Sequence, residues 1–143
     1  MSRNELRFQN HIIDTYKIEG GTGKKWASEF TVGNPDLILS CRGVGVHLAE
    51  VKHRPTFSPE RTIKNPMAAK QQQAARQFIE AGGTVFLFIV VGEKALGSTL
   101  LVYDPLKDCS PETLMVAVPY AIKGKYKGLT QMIRSLAWTS NKP

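Results

Sequence analysis

The chain has 143 residues, 42% hydrophobic and 22% charged, which suits a single domain spanning 1–143 around one core and excludes general disorder. No apolar run approaches the roughly 20 residues that cross a bilayer, and the charged start Met-Ser-Arg-Asn-Glu-Leu-Arg-Phe argues against a secretory signal, so a cytoplasmic protein without membrane association is expected. Nineteen Lys and Arg against twelve Asp and Glu leave a net charge of +7; no acid follows Glu112, and a polyanionic partner such as nucleic acid is favoured.

In chain order, Leu6, Phe8, Ile12, Ile13 and Tyr16 recur at three- and four-residue intervals and predict a first helix over residues 4–16. Gly20, Gly21 and Gly23 then interrupt the chain beside Lys24 and Lys25. A phosphate-binding loop is rejected, because its pattern needs Gly at Ile18 and Ser or Thr at Lys25; a flexible basic loop is expected instead. A short extended piece follows over residues 26–32. Two apolar runs, 37–39 and 44–51, flank Cys-Arg-Gly and predict a hairpin about Gly43. Residues 53–66 carry three prolines and several charges and read as a loop. Helical spacing resumes at Met67, Ala68, Ala75, Phe78 and Ile79 and stops at Gly82-Gly83. Residues 84–91 form an almost wholly apolar run, expected to be a buried central strand. Another strand fits 99–103, and Leu129, Met132, Ile133 and Leu136 predict a short final helix. The expected fold is α/β, a mixed central sheet with helices packed on it. Cys41 and Cys109 have neither a C-x-x-C spacing nor a nearby histidine at zinc-ligand distance, so reduced thiols are expected.

Chemistry concentrates in Gly33-Asn34-Pro35-Asp36, entering one strand, and Glu50-Val51-Lys52, ending the next. Strand side chains alternate, so Glu50 and Lys52 share a face and Val51 points away. A hairpin about Gly43 brings Asp36 near Glu50. Two carboxylates at one point are costly without a cation between them, and carboxylate oxygens with water suit Mg²⁺ or Mn²⁺ rather than zinc. Lys52 is placed to hold an attacking water or a phosphate, which points to phosphodiester hydrolysis. The competing interpretation is a solvated Glu–Lys pair and an Asp that merely starts a strand.

The runs Gly-Asn-Pro-Asp-Leu-Ile-Leu and Leu-Ala-Glu-Val-Lys resemble the PD-(D/E)XK nuclease superfamily. Within it, the chain is most similar to phage and bacterial VRR-NUC-type nucleases and archaeal-type Holliday junction resolvases. The acid-bearing helix around Asn4-Glu5-Leu6, the glutamines at Lys70-Gln71-Gln72-Gln73 and the helix stop at Ala81-Gly82-Gly83 agree, over about residues 4–92. The resemblance implies a restriction-endonuclease-like core, Asp36 and Glu50 as metal ligands helped by the Val51 carbonyl, and Lys52 as catalytic lysine. It also implies Glu5 as a supporting acid and Gln71, with Gln72 as the alternative, as the site glutamine. Glu29 is a rival to Glu5, Glu5 can equally be a solvated helix residue, and surface helix formation is the commoner fate of such glutamines. The activity implied is a Mg²⁺-dependent, structure-selective DNA endonuclease, a homodimeric resolvase acting on branched DNA in a bacterial or phage-infected cell. The alternatives are a nuclease for flaps, ends or specific sites, and an inactive nucleic-acid-binding module. The stretch 53–66 departs from the pattern by its length and prolines.

Basic residues supply the expected DNA contacts: Lys24 and Lys25, His53 after the catalytic lysine, and Arg54, Arg61 and Lys64 in the following loop. Lys123, Lys125 and Lys127 surround Tyr126, which is either a base-stacking residue or part of a solvated basic turn. His47 alternates away from Glu50 and is expected to be packed.

Overall fold

A computed structural model describes residues 3–26 and 33–140, with side chains as far as Leu136. It has α1 (Arg3–Ile18), β1 (Thr22–Lys25), β2 (Leu37–Cys41), β3 (Gly45–Arg54), α2 (Ala69–Glu80), β4 (Val85–Val91), β5 (Thr99–Tyr103), β6 (Leu114–Pro119) and α3 (Leu129–Ser140). The six strands lie side by side in chain order. Every pairing is antiparallel except β3 with β4, where α2 provides the crossover. The expected mixed α/β sheet flanked by helices is therefore what the chain forms, and helix, meander, crossover helix and strand follow in the order that the resemblance implies. No helix among the described residues is long and apolar enough to cross a membrane.

Strand alternation divides the core into two layers. Ala49 and Val51 of β3 face α1, together with Leu37 and Leu39 of β2 and Phe8, Ile12 and Tyr16 of α1. Leu48 faces the other way, toward Met67, Ala75 and Leu87 on the α2 side. The run Val85-Phe86-Leu87-Phe88-Ile89-Val90 feeds both layers and is buried throughout, which is why it lacks a polar face. Cys41 and Cys109 are free and buried, as expected of reduced thiols.

Two segments differ from the sequence expectation, and a third lies mostly outside the described residues. The stretch Gly20 to Lys25 is loop only at Gly20 and Gly21: residues 22–25 pair with Ser40 to Leu37 as the edge strand β1. Gly23 and exposed Lys24 suit an edge, where only one side of the ladder is bonded. Of the extended piece at 26–32, only Trp26 is described; its amide donates to the Asp36 carbonyl at 2.8 Å, and 27–32 lie outside the described residues. The strand β6 was not anticipated. It has a period-two pattern, with Val116 and Val118 buried between exposed Met115, Ala117 and Pro119, over a length too short to stand out.

The stretch 53–66 is a loop, but a tethered one. Ile63 and Cys109 exchange backbone hydrogen bonds at 2.8 and 3.0 Å. Buried Asn65 donates through its side-chain amide to the carbonyls of Pro105 and Lys107, both at 2.8 Å. Its own side-chain carbonyl accepts the Met67 N–H at 2.8 Å, just before α2 begins. Asn65→Ala strips partners from buried groups on both sides, so a loss of roughly 2–4 kcal/mol of stability is expected in urea denaturation. A loss below about 1 kcal/mol would mean that water replaces this node without cost.

Candidate active site

The antiparallel register pairs Leu37 with Ala49, so Asp36, one residue before β2, arrives beside Glu50. Its Oδ2 accepts the Val51 N–H at 2.9 Å, which fixes the carboxylate against the β3 backbone. The approach to Asp36 depends on Gly33, whose φ is +95°; a Cβ there would lie 2.8 Å from the Lys70 carbonyl oxygen. Glycine thus lets the segment entering β2 rest on the first turn of α2.

Glu50 is 1% exposed, on the same face of β3 as Leu48 and Lys52. Burial raises its pKa well above the usual carboxylate range; a side-chain hydrogen bond with Asp36 and that residue's charge push the same way, and Lys52 opposes them. Burial and the neighbouring carboxylate thus both favour the protonated form of Glu50. Glu50 Oε2 is buried with no hydrogen-bond partner among the described residues. A buried oxygen left unpaired beside a second carboxylate is the donor arrangement that a small hard cation fits, because Mg²⁺ takes one or two carboxylates and fills its remaining positions with water or phosphate oxygens. Among the described residues no cluster of three or more His, Cys, Asp or Glu side chains forms a larger cage. Glu5 contributes its charge to the surroundings of Glu50 from α1, as the last of the influences on that group. Glu29 lies outside the described residues.

Lys52 is half-buried and follows Glu50 on the shared face. Val51 buries its side chain on the α1 side. Gln71 is occupied at the start of α2, where its Oε1 accepts the Ala68 N–H at 2.9 Å; Gln72 donates to the Met67 carbonyl at 2.9 Å. Both glutamines therefore stabilise the helix start in this structure.

No family model and no curated protein matches this chain. Among solved structures, it is similar to a VRR_NUC domain at 26% identity and a TM-score of 0.46, covering 64% of this chain and 87% of that one. It is also similar to Hjc of Archaeoglobus fulgidus, described as a Holliday junction resolvase from an archaeal hyperthermophile, at 18% identity and a TM-score of 0.47, covering 66% of this chain and 72% of that one.

The expected basic contacts separate into groups. Arg54 ends β3 on the Glu50 face, and its Nη1 donates to the His53 carbonyl at 2.9 Å. Arg61 and Lys64 are exposed on the loop beyond. Lys24 is exposed and Lys25 half-buried on the edge strand β1. His53 corrects the sequence expectation: it turns to the α1 side, is buried against the Phe8 ring at 4.9 Å, and its Nε2 lies 2.6 Å from the Gly92 carbonyl. Strand alternation sends it away from Lys52. Tyr126 is likewise interior rather than available to a base. It is fully buried, its hydroxyl lies 2.8 Å from Ser98 Oγ, and its amide donates to Thr15 Oγ1 at 3.1 Å. Lys123, Lys125 and Lys127 are carried by this turn in the α1 layer, on the other side of the sheet from Glu50. His47 is packed as expected, with Nε2 2.8 Å from the Tyr16 hydroxyl.

Asn65 is the positioning residue that sequence reasoning missed, while Gly33 stood in the Gly-Asn-Pro-Asp run without an assigned role. The signal for Asn65 was present in the Asn-Pro dipeptide, which favours a turn.

Proposed function

We propose that this protein is a Mg²⁺-dependent DNA endonuclease, with Mn²⁺ able to substitute, and that its substrate is branched DNA such as a four-way junction. The observation that carries the reading is the pairing of buried Glu50, with its unpartnered Oε2, against the backbone-anchored carboxylate of Asp36. The same residues carry the resemblance to the PD-(D/E)XK nucleases.

In this reading Asp36 and Glu50 hold the cation, with the Val51 carbonyl as a further oxygen donor. When bound, the cation supplies Lewis acidity toward a phosphoryl oxygen and lowers the pKa of a water molecule. Lys52 donates hydrogen bonds to the scissile phosphate or to the attacking water and offsets negative charge as it develops. The Val51 N–H keeps Asp36 from turning away, and Glu5 adds acidity from α1. Arg54, Arg61 and Lys64 hold neighbouring phosphates on the same side of the sheet. Paired cuts in a symmetric junction call for two such sites related by a two-fold axis, hence a homodimer. Met132, 42% exposed on α3, offers apolar surface for that contact.

Four-way junctions, flaps, nicked duplexes and plain duplexes, each incubated with the protein and Mg²⁺, test the assignment. Paired incisions confined to the junction are expected. Equal cutting of all four would remove the junction preference and leave a general nuclease. Tight, salt-sensitive binding with no cleavage in Mg²⁺ or Mn²⁺ would replace the enzyme by a binding module.

A further inference from the structure

Beyond the end of β3 the chain forms a concave pocket of about 550 Å³, lined by Arg54, Thr56, Phe57, Ser58, Arg61 and Ile63. That volume lies within the 300–1,000 Å³ typical of small-ligand sites. Its lining combines two guanidinium groups, two hydroxyls and a half-buried aromatic ring, with no acid among them. We propose that this pocket receives a single unpaired nucleotide, its base against Phe57 and its phosphate on Arg54 and Arg61. The proposal rests on the DNA-endonuclease reading, independently of the junction preference, and adds a contact made by any base released from pairing near the cleavage site.

Three observations support this occupant. First, Arg54 shares the β3 face with Glu50 and Lys52. At about 3.3 Å per residue, Arg54 stands about 13 Å past Glu50. Each DNA strand carries a phosphate per about 3.4 Å of axis, so the pocket falls within about four nucleotides of a phosphate held at Glu50. Secondly, the pocket wall is fixed before DNA arrives. Phe57 packs on Tyr103 with ring centroids 6.2 Å apart, and the Ile63–Cys109 bridge and the Asn65 node tie the loop to the β5–β6 connection. A preformed site binds without first paying the entropy of ordering the loop. Thirdly, a base within a paired stack has both faces covered by its neighbours. Only one released from the stack can enter a recess and lie on an aromatic ring. Hydroxyls at Thr56 and Ser58 provide donors and acceptors for its edge without demanding one base.

Binding measured without divalent cation, by anisotropy, separates this inference from the catalytic one. The probes are a fully paired duplex and the same duplex carrying one unpaired 2-aminopurine. The protein is expected to bind the second about tenfold more tightly and to quench its fluorescence by stacking. Phe57→Leu keeps the apolar contact with Tyr103 and is expected to lose both the preference and the quenching. Phe57→Trp, which enlarges the ring, is expected to retain both. Arg61→Gln is expected to weaken both probes and to flatten the salt dependence. Equal affinity of the wild type for the two probes, or an intact preference in Phe57→Leu, would overturn the proposal. Failure of the endonuclease reading would appear elsewhere, as absent cleavage in Mg²⁺.

Discussion

Asp36→Asn and Glu50→Gln are each expected to lower Mg²⁺-dependent DNA cleavage on the order of 10³-fold. Each removes one of two carboxylates while conserving shape, so the effect is electrostatic. Asparagine keeps an oxygen for the Val51 N–H now held at 2.9 Å, so the β2–β3 geometry is retained. Glutamine at position 50 places a neutral group in a nearly closed site, 1% exposed, where the wild type already favours a protonated acid. DNA affinity should change little in either variant, because the basic residues proposed to grip phosphate are elsewhere on the face. Single-turnover cleavage and filter binding, measured side by side, check both halves of the expectation. Full nicking by both variants would discard the site.

The second large effect concerns stability and pH. Glu50 is buried first and then affected by the hydrogen bond and charge of Asp36, so its folded pKa is raised. The unfolded side chain ionises near its ordinary value of about 4.3. Between that value and the raised one, the folded protein holds a proton that the unfolded chain has released. Stability from this group is thus complete at low pH and declines as pH rises, by about 1.4 kcal/mol per unit while the difference lasts. His47 and His11 act in the opposite direction. Burial, joined for His11 by the charge of Lys125, lowers their pKa values, so their contribution falls as the medium becomes acidic. Comparison of wild type with Glu50→Gln isolates the glutamate. In EDTA, urea denaturation from about pH 5 to pH 8 should show the wild type losing stability relative to Glu50→Gln. Adding Ca²⁺ or Mg²⁺ should flatten that difference, because the cation replaces the proton. Parallel pH profiles in EDTA would mean that Glu50 is already ionised and satisfied without a cation.

Periodicity alone located much of this arrangement. The apolar run through β4, the alternation in β3 and the helical spacing of α1 arise from burial patterns that repeat every two or 3.6 residues, so each element carries its own record. The common face of Glu50 and Lys52 follows from the same alternation, and the turn at Gly43 implied that Asp36 would meet them. Contacts made over long separations left no comparable trace. Lys24 and Lys25 became part of a strand because β2 offered them a ladder. His53 is a different case, since its inward turn follows from the same local alternation that turns Val51 away from Lys52. Tyr126, in a basic stretch suggestive of an exposed turn, is buried because α1 presents Thr15 to its backbone and the loop after β4 presents Ser98 to its hydroxyl. Gln71 met the first turn of its own helix, a local competition that spacing to Gly82 does not reveal.

The amino-acid order by itself therefore determined which residues form strands and helices in the central core, and which face of β3 bears Glu50 and Lys52, because those properties depend on neighbours a few positions apart. Only the tertiary structure decided how deeply Glu50 is buried, that Asp36 is anchored by the Val51 N–H, and that the loop after β3 is tethered by Asn65 into a pocket. Desolvation and hydrogen bonding depend on what packs from distant parts of the chain, and a linear pattern does not encode those partners.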